Sequence, residues 1–118
     1  MRNLGHDKVI IVEGASDRKK IKKILKDPID IICTNGTIGI TKLEELVDSL
    51  YDKEVYILVD ADPPGEKLRK QFKRELPNAK HLYIDKVYKE VESAPDFHLA
   101  TILLKGNIDI HIEYLDRG

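Results

Sequence analysis

Short runs of β-branched residues alternate with amphipathic stretches along this chain, and this alternation constrains the fold more than any other feature. Residues 9–12 are Val-Ile-Ile-Val, and residues 55–59 are Val-Tyr-Ile-Leu-Val. Continuous apolar runs of this length are typical of strands buried on both faces, as in a parallel sheet covered by helices. The sequence therefore predicts an α/β fold with three layers, in which helices cover both faces of a central, mostly parallel, Rossmann-like sheet.

The same pattern predicts where the elements lie. Strands are expected at residues 9–12, 29–33, 55–59 and 82–84. Helices are expected at residues 16–26, 42–51, 66–76 and 96–105. The polar stretch 85–94 is expected to be a loop.

The C-terminal part of the chain carries a different pattern. Residues 108–114 alternate strictly between apolar and polar side chains, which predicts an extra, half-exposed edge strand. Such an edge is a candidate surface for pairing in a homodimer, and a covered edge in the monomer is the alternative. No linker or repeat interrupts the pattern. We therefore expect a single domain over residues 1–118, with its core at about 8–105 and the last strand at about 108–115.

Composition limits the setting in which the chain works. Charged residues make up 35% of the chain, yet the formal net charge is only −1, so bulk charge does not indicate a nucleic-acid partner. The single cysteine, Cys33, excludes an internal disulfide and favours a reducing compartment. Residues 1–8 lack the apolar core of a signal peptide, and no apolar stretch is long enough to cross a bilayer. We expect a cytoplasmic protein with no membrane contact.

Acidic residues follow two of the predicted buried strands. Glu13 comes directly after the run 9–12, and Asp60 and Asp62 follow the run 55–59. The carboxyl ends of parallel strands meet at one edge of a sheet, so Glu13, Asp60 and Asp62 are candidate ligands of one metal ion if the strands are neighbours. Mg²⁺ typically combines one or two carboxylates with water and phosphate oxygens. A turn with helix-capping aspartates also explains Asp60 and Asp62, but it does not explain Glu13.

The acids belong to two motifs, Val12-Glu13-Gly14 and, further along the chain, Asp60-Ala61-Asp62. In this order the two motifs resemble the signature of the Toprim domain, which is shared by topoisomerases, DnaG-type primases, OLD-family nucleases and RecR proteins. Thr34-Asn35-Gly36 and the stretch 60–67 are similar, more specifically, to the 5S ribosomal RNA maturase ribonucleases. The resemblance covers about residues 8–105. It implies a Toprim fold in which Glu13 is a general acid or base and Asp60 and Asp62 bind Mg²⁺, or alternatively Mn²⁺.

Four residues near the same strand ends are candidates for contact with a substrate. Gly14 and Asp17 lie at the start of the first predicted helix, where backbone amides and the helix dipole favour a phosphate. A tight turn and an ordinary acid at a helix start are the alternative explanations. Asn35 and Gly36 follow the second strand, where a plain turn explains them equally well.

Glu66 and Lys67, at the start of the third predicted helix, are further candidates for substrate contact, with helix-start electrostatics as the alternative for Glu66.

Basic side chains are unevenly distributed despite the small net charge. Each basic segment fits either a solvated helical face or contact with a phosphate backbone. The two segments are Arg18, Lys19, Lys20, Lys22, Lys23 and Lys26, and Lys67, Arg69, Lys70, Lys73 and Arg74.

Three hypotheses about function follow. The first is Mg²⁺-dependent phosphodiester cleavage of nucleic acid, with ribonuclease-like cleavage of RNA preferred over DNA. The second is a non-catalytic Toprim module that binds nucleic acid or a protein. The third, a phosphoacceptor domain, is disfavoured because such domains need an acidic pair at the end of the first strand, where this chain has Glu13. A homodimer or a partner protein is a candidate source of substrate recognition.

Overall fold

The computed structural model describes residues 7–36 and 38–116, and these residues form a four-stranded parallel sheet flanked by helices. The strands lie in the order β2-β1-β3-β4. Their bounds are β1 Lys8–Val12, β2 Asp30–Cys33, β3 Glu54–Leu58 and β4 Lys80–Leu82. The helices are α1 Ala15–Ile24, α2 Ile40–Leu50, α3 Pro63–Glu75 and α4 Asp96–Lys105. The predicted α/β class with a parallel sheet is confirmed.

The continuous apolar runs are explained by two cores, one on each face of the sheet. Successive side chains of a strand point to opposite faces. On one face, Ile10 and Tyr56 pack in a cluster with residues of α1 and α4. On the other face, Ile11 and Ile57 pack in a cluster with residues of α2 and α3. Every residue of the two central strands therefore needs an apolar side chain, apart from those at the strand starts.

The third helix begins earlier than predicted. Asp62 is its N-cap, and its Oδ1 accepts a 2.9 Å hydrogen bond from the amide of Gly65. Pro63 and Pro64 form the first turn, which is the part of a helix that tolerates proline because those amides have no helical partner. The two prolines thus belong to the helix and not to a preceding turn.

The predicted C-terminal edge strand at 108–115 is wrong. Ile110 forms an isolated antiparallel bridge with Leu25, at the end of α1, and a 3₁₀ helix follows at Ile112–Leu115. The alternation is real only as far as Ile110, since Ile108 and Ile110 are buried while Ile112 is 77% exposed. The segment packs on α1 and α4 and does not add a strand to the sheet. The edge that was a candidate dimer surface therefore does not form. The single-domain assignment stays a prediction.

The polar stretch 85–94 is more ordered than a simple loop. It contains two 3₁₀ turns, Lys86–Tyr88 and Val91–Ser93, and the side chains of Val91 and Ala94 are fully buried. No helix among residues 7–36 and 38–116 is long and apolar enough to span a membrane. The cytoplasmic location stays a prediction.

Candidate metal centre

Three carboxylates meet at the carboxyl end of the sheet. β1 and β3 are adjacent and parallel, so Glu13, directly after β1, lies beside Asp60 and Asp62, which follow β3. One carboxylate oxygen from each residue lies within 4.8 Å of the others. The amide of Asp60 donates a 3.1 Å hydrogen bond to Oε2 of Glu13. The structure therefore brings together the three residues that the sequence predicts as metal ligands.

Asp60 is held in place by the stretch 85–94. The amide of Val91 donates a 2.8 Å hydrogen bond to Oδ1 of Asp60. The amide of Ala61 donates to the carbonyl of Lys89, at 2.6 Å. Sequence reasoning missed this support. The signal that was available is the pair of apolar residues, Val91 and Ala94, inside an otherwise polar stretch.

Asp62 is fixed by its capping role, and Gly65 allows the turn to close. A Cβ atom at Gly65 would collide with the carbonyl oxygen of Asp60 and would lie 3.1 Å from Oδ1 of Asp62. The first turn of α3 therefore packs directly against the backbone that carries both aspartates. In the sequence, Gly65 stands out only as part of the stretch 60–67. The close approach of α3 to the backbone of Asp60 nevertheless requires a residue without a side chain there.

Burial and mutual repulsion raise the pKa values of these acids. The pKa of Glu13 is raised to about 7, mainly by burial, and the charges of Asp60, Asp62 and Asp17 raise it further, against the effect of the Asp60 amide. The pKa of Asp60 is also raised, mainly by burial. Oxygen donors are suited to a hard divalent cation, and such a cation would offset the repulsion. The cluster therefore fits a divalent metal ion.

Asp17 and Gly14 lie next to the cluster but bond to each other. The amide of Gly14 donates a 3.1 Å hydrogen bond to Oδ2 of Asp17, whose side chain is buried in the first turn of α1. Burial, followed by the charge of Asp60, raises the pKa of Asp17 to about 6. The structure thus gives Asp17 a capping function and also places its charge beside the metal centre.

The other predicted substrate contacts lie around the same edge. The amide of Asn35 donates to the carbonyl of Glu13 at 2.7 Å, and Asn35 and Gly36 have φ angles of 59° and 100°. They form a left-handed turn that glycine and asparagine adopt most easily. Glu66 is exposed and lies 3.8 Å from Nε of Arg69, whereas Lys67 projects into solvent from the start of α3. Whether any of them contacts a substrate stays a prediction.

Arg69 differs from the other basic residues of its segment because it is buried. Its side chain is 2% exposed, and its Nη2 donates to the carbonyls of Leu82, at 2.6 Å, and Val59, at 3.4 Å. Its Nη1 lies 3.0 Å from Nδ1 of His81. The guanidinium therefore joins β3 and β4 at their carboxyl ends. The sequence contains the signal, since Arg69 is three residues before Phe72 on the stripe that faces the core.

The fold and this acidic cluster agree with comparisons to known proteins. Residues 8–87 match the Toprim domain family. The chain is 59% identical to the uncharacterized protein YusF of Bacillus subtilis (strain 168) over 111 residues, which are 94% of this chain and 76% of YusF. A solved structure of a small TOPRIM domain protein from Bacillus stearothermophilus has a TM-score of 0.94 and 54% identity, and the match covers 99% of this chain and 98% of that one. The chain belongs to the Toprim domain family.

A second group of relatives consists of ribonucleases. The chain is 37% identical to ribonuclease M5 of Bacillus anthracis over 79 residues, which are 66% of this chain but 42% of that protein. The similarity to ribonucleases that Thr34-Asn35-Gly36 and the stretch 60–67 indicated is thus confirmed. This chain matches less than half of the length of that ribonuclease. Family and cluster together support a metal-binding function related to nucleic acid.

Proposed function

We propose that this protein cleaves phosphodiester bonds in nucleic acid with the help of Mg²⁺, and that RNA is its preferred substrate. The observation that carries the proposal is the convergence of Glu13, Asp60 and Asp62, whose oxygens lie within 4.8 Å of one another. The similarity to ribonuclease M5 over the shared part of the chain supports RNA over DNA.

Asp60 and Asp62 are the residues that would hold the ion. Each is fixed through one carboxylate oxygen, Oδ1 of Asp60 by the Val91 amide and Oδ1 of Asp62 by the Gly65 amide. Each carboxylate keeps further lone pairs for coordination. When it is bound, a divalent ion polarises a phosphate and lowers the pKa of water. Mn²⁺ has the same ligand preferences and is the expected substitute.

Glu13 would transfer the proton. Its pKa of about 7 means that near neutral pH the carboxyl group is present in both protonation states, as a general acid or base requires. Because the Asp60 amide fixes Oε2, the carboxyl group of Glu13 is held beside any phosphate or water that binds at the cluster. The charge of a bound cation would lower this pKa and favour the base form.

The test is cleavage of a labelled single-stranded RNA by the wild-type protein and by Glu13→Gln, with Mg²⁺, with Mn²⁺ and with EDTA. We expect Glu13→Gln to lower the rate by about 100-fold or more. Glu44→Gln is the matched control, because Glu44 is an exposed acid within α2 and outside the cluster. Its rate should stay within about twofold of wild type.

The result also separates this function from its alternative. Equal rates for wild type and Glu13→Gln would contradict the proposed role of Glu13. Binding of RNA by the wild-type protein without cleavage in either metal would favour a non-catalytic Toprim module. We further propose that a second copy of the chain or a partner protein contributes to the choice of substrate.

A further inference from the structure

Tyr83 is an exposed aromatic residue whose ring is held in a fixed position. Its residue surface is 53% exposed, and Cζ of Arg69 lies 4.0 Å from the centre of its ring. Arg69 is itself buried and bonded to Leu82 and His81. One face of the ring therefore rests on an immobile cation, and about half of the surface of the residue remains exposed to solvent. No motif in the sequence distinguishes this tyrosine.

The ring lies at the same end of the sheet as the metal centre. Tyr83 directly follows β4, just as Glu13 follows β1 and Asp60 follows β3 closely, and all these strands are parallel. Arg69 connects the two places, because it supports Tyr83 and also donates to the carbonyl of Val59, next to Asp60. A single nucleic-acid strand that is bound at the metal centre and extends across β4 would pass this ring.

The surroundings of the ring carry charges of both signs, since Asp85 lines the same groove as Tyr83 and Glu66 opposes the effect of Lys73 on His81. Lys73 on α3 is near enough to His81 for its charge to help lower the pKa of that histidine. On the other side of β4, Lys105 and Thr101 line an open groove of about 520 Å³ together with Tyr83. Lysines beside an exposed aromatic face suit a nucleic acid, because the ring stacks on a base while the ammonium groups attract phosphates.

We propose that the exposed face of Tyr83 is a stacking platform for one unpaired base of the RNA whose backbone is held at the metal centre. This inference rests on the proposed function for the choice of RNA as ligand. The ring accepts any base, because every base has a π-face. It therefore contributes affinity and position along a single strand, but little sequence preference.

Binding of short single-stranded RNA tests the platform, and it is measured by fluorescence polarisation in Mg²⁺, with Glu13→Gln in every protein, the wild-type reference at position 83 included, so that the RNA is not cleaved. Tyr83→Leu should raise the Kd about tenfold, whereas Tyr83→Phe, which keeps the ring, should stay within about twofold of wild type. Tyr51→Leu is the matched control, because Tyr51 is 83% exposed but lies after α2, at the opposite end of the sheet. It should leave the Kd unchanged.

Two further measurements identify the base as the ligand of the ring. With an oligomer of abasic nucleotides, Tyr83→Leu and wild type should have the same Kd. With 2-aminopurine in the RNA, wild-type protein and Tyr83→Phe should quench its fluorescence and Tyr83→Leu should not. The quenching by wild-type protein does not depend on the stability of any variant.

The outcomes separate this inference from the proposed function. Equal RNA affinity of wild type and Tyr83→Leu, an equal loss with the abasic oligomer, or no RNA binding by wild type would overturn the platform. The first two results would leave the proposed cleavage activity of the wild-type protein untouched. Conversely, Tyr83-dependent binding without cleavage would support the platform and contradict only the nuclease activity.

Discussion

The backbone amide of Asp60 donates a 3.1 Å hydrogen bond to the carboxylate of Glu13, so the side chain that follows β1 is fixed by the main chain that follows β3. The two strands are neighbours, with Ile11 opposite Ile57 near their ends. The sheet itself therefore assembles the acidic cluster. Assembly by the fold buries these acids and brings like charges together, and both effects, burial above all, raise the pKa values of Glu13 and Asp60.

Lowering the pH from about 8 to about 6.5 should stabilise the metal-free protein. The pKa of Glu13 is raised from 4.5 to about 7, and that of Asp17 from 3.8 to about 6, so the folded state binds more protons than the unfolded state in this range. Their contribution to stability is full below their unfolded pKa values and is lost as the pH rises through the folded ones. Urea unfolding in EDTA measures the change.

Glu13→Gln is the control for this pH dependence. It removes a carboxyl group whose pKa is raised to about 7, so the gain in stability between about pH 8 and about pH 6.5 should be smaller than in wild type. The range stops at 6.5 because of His81, whose pKa is lowered from 6.5 to about 4, mainly by burial. Because His81 stays neutral in the folded protein, its contribution to stability is lost as the pH falls from about 6.5 to about 4. Identical slopes in both proteins would contradict the Glu13 assignment.

Asp62 should show two separable functions, capping of α3 and binding of metal. Asparagine caps a helix about as well as aspartate, so Asp62→Asn should keep the free energy of unfolding in EDTA within about 0.5 kcal/mol. Asp62→Ala should lose about 1 kcal/mol there. Wild type should be stabilised by excess Mg²⁺ in proportion to the logarithm of its concentration, and both variants should lose most of that response.

Thermal melts with and without Mg²⁺ measure the stabilisation of wild type and of both Asp62 variants by the ion. A full Mg²⁺ response in Asp62→Asn would show that this carboxylate does not coordinate the ion. Asp48→Asn is the matched control, since Asp48 is an exposed acid within α2 and outside the cluster. Its response to Mg²⁺ should equal that of wild type.

Gly65→Ala should destabilise the protein and disturb the metal centre together. The new methyl group would collide with the carbonyl oxygen of Asp60, and overpacking of this kind costs about 1–3 kcal/mol or more. Gly39→Ala is the control, because a Cβ there meets no atom within 4 Å and the residue is likewise adjacent to a helix start. It should cost less than about 1 kcal/mol. Equal losses for the two variants, measured by urea unfolding, would refute the steric explanation.

Arg69→Met should destabilise the protein by about 2–4 kcal/mol, because it leaves the buried carbonyls of Val59 and Leu82 without this donor. Arg74→Met, which removes an exposed arginine paired with Glu75, should change stability by less than about 0.5 kcal/mol. Chemical unfolding compares the two. A small effect of Arg69→Met would show that the guanidinium does not join the two strands.

Local patterns explain what was predictable. The runs 9–12 and 55–59 are apolar at every position, which already requires two covering layers, and the structure has them on both faces. Placement of Glu13, Asp60 and Asp62 at one edge follows once β1 and β3 are parallel. The alternating segment 108–114 shows the limit of such patterns, because Ile108 and Ile110 reach the core without a partner strand.

By itself, the sequence determined the class of fold, the positions of most elements and the three acids that meet at one sheet edge, because periodicity and strand ends are local properties. The tertiary structure alone decided that Val91 bonds to Asp60, that Gly65 lets the aspartates close and that Arg69 is buried beneath Tyr83. Each of these depends on which surfaces come into contact after the helices pack. A hydrogen bond between residues 31 positions apart, such as that of Val91 with Asp60, leaves no periodic trace along the chain.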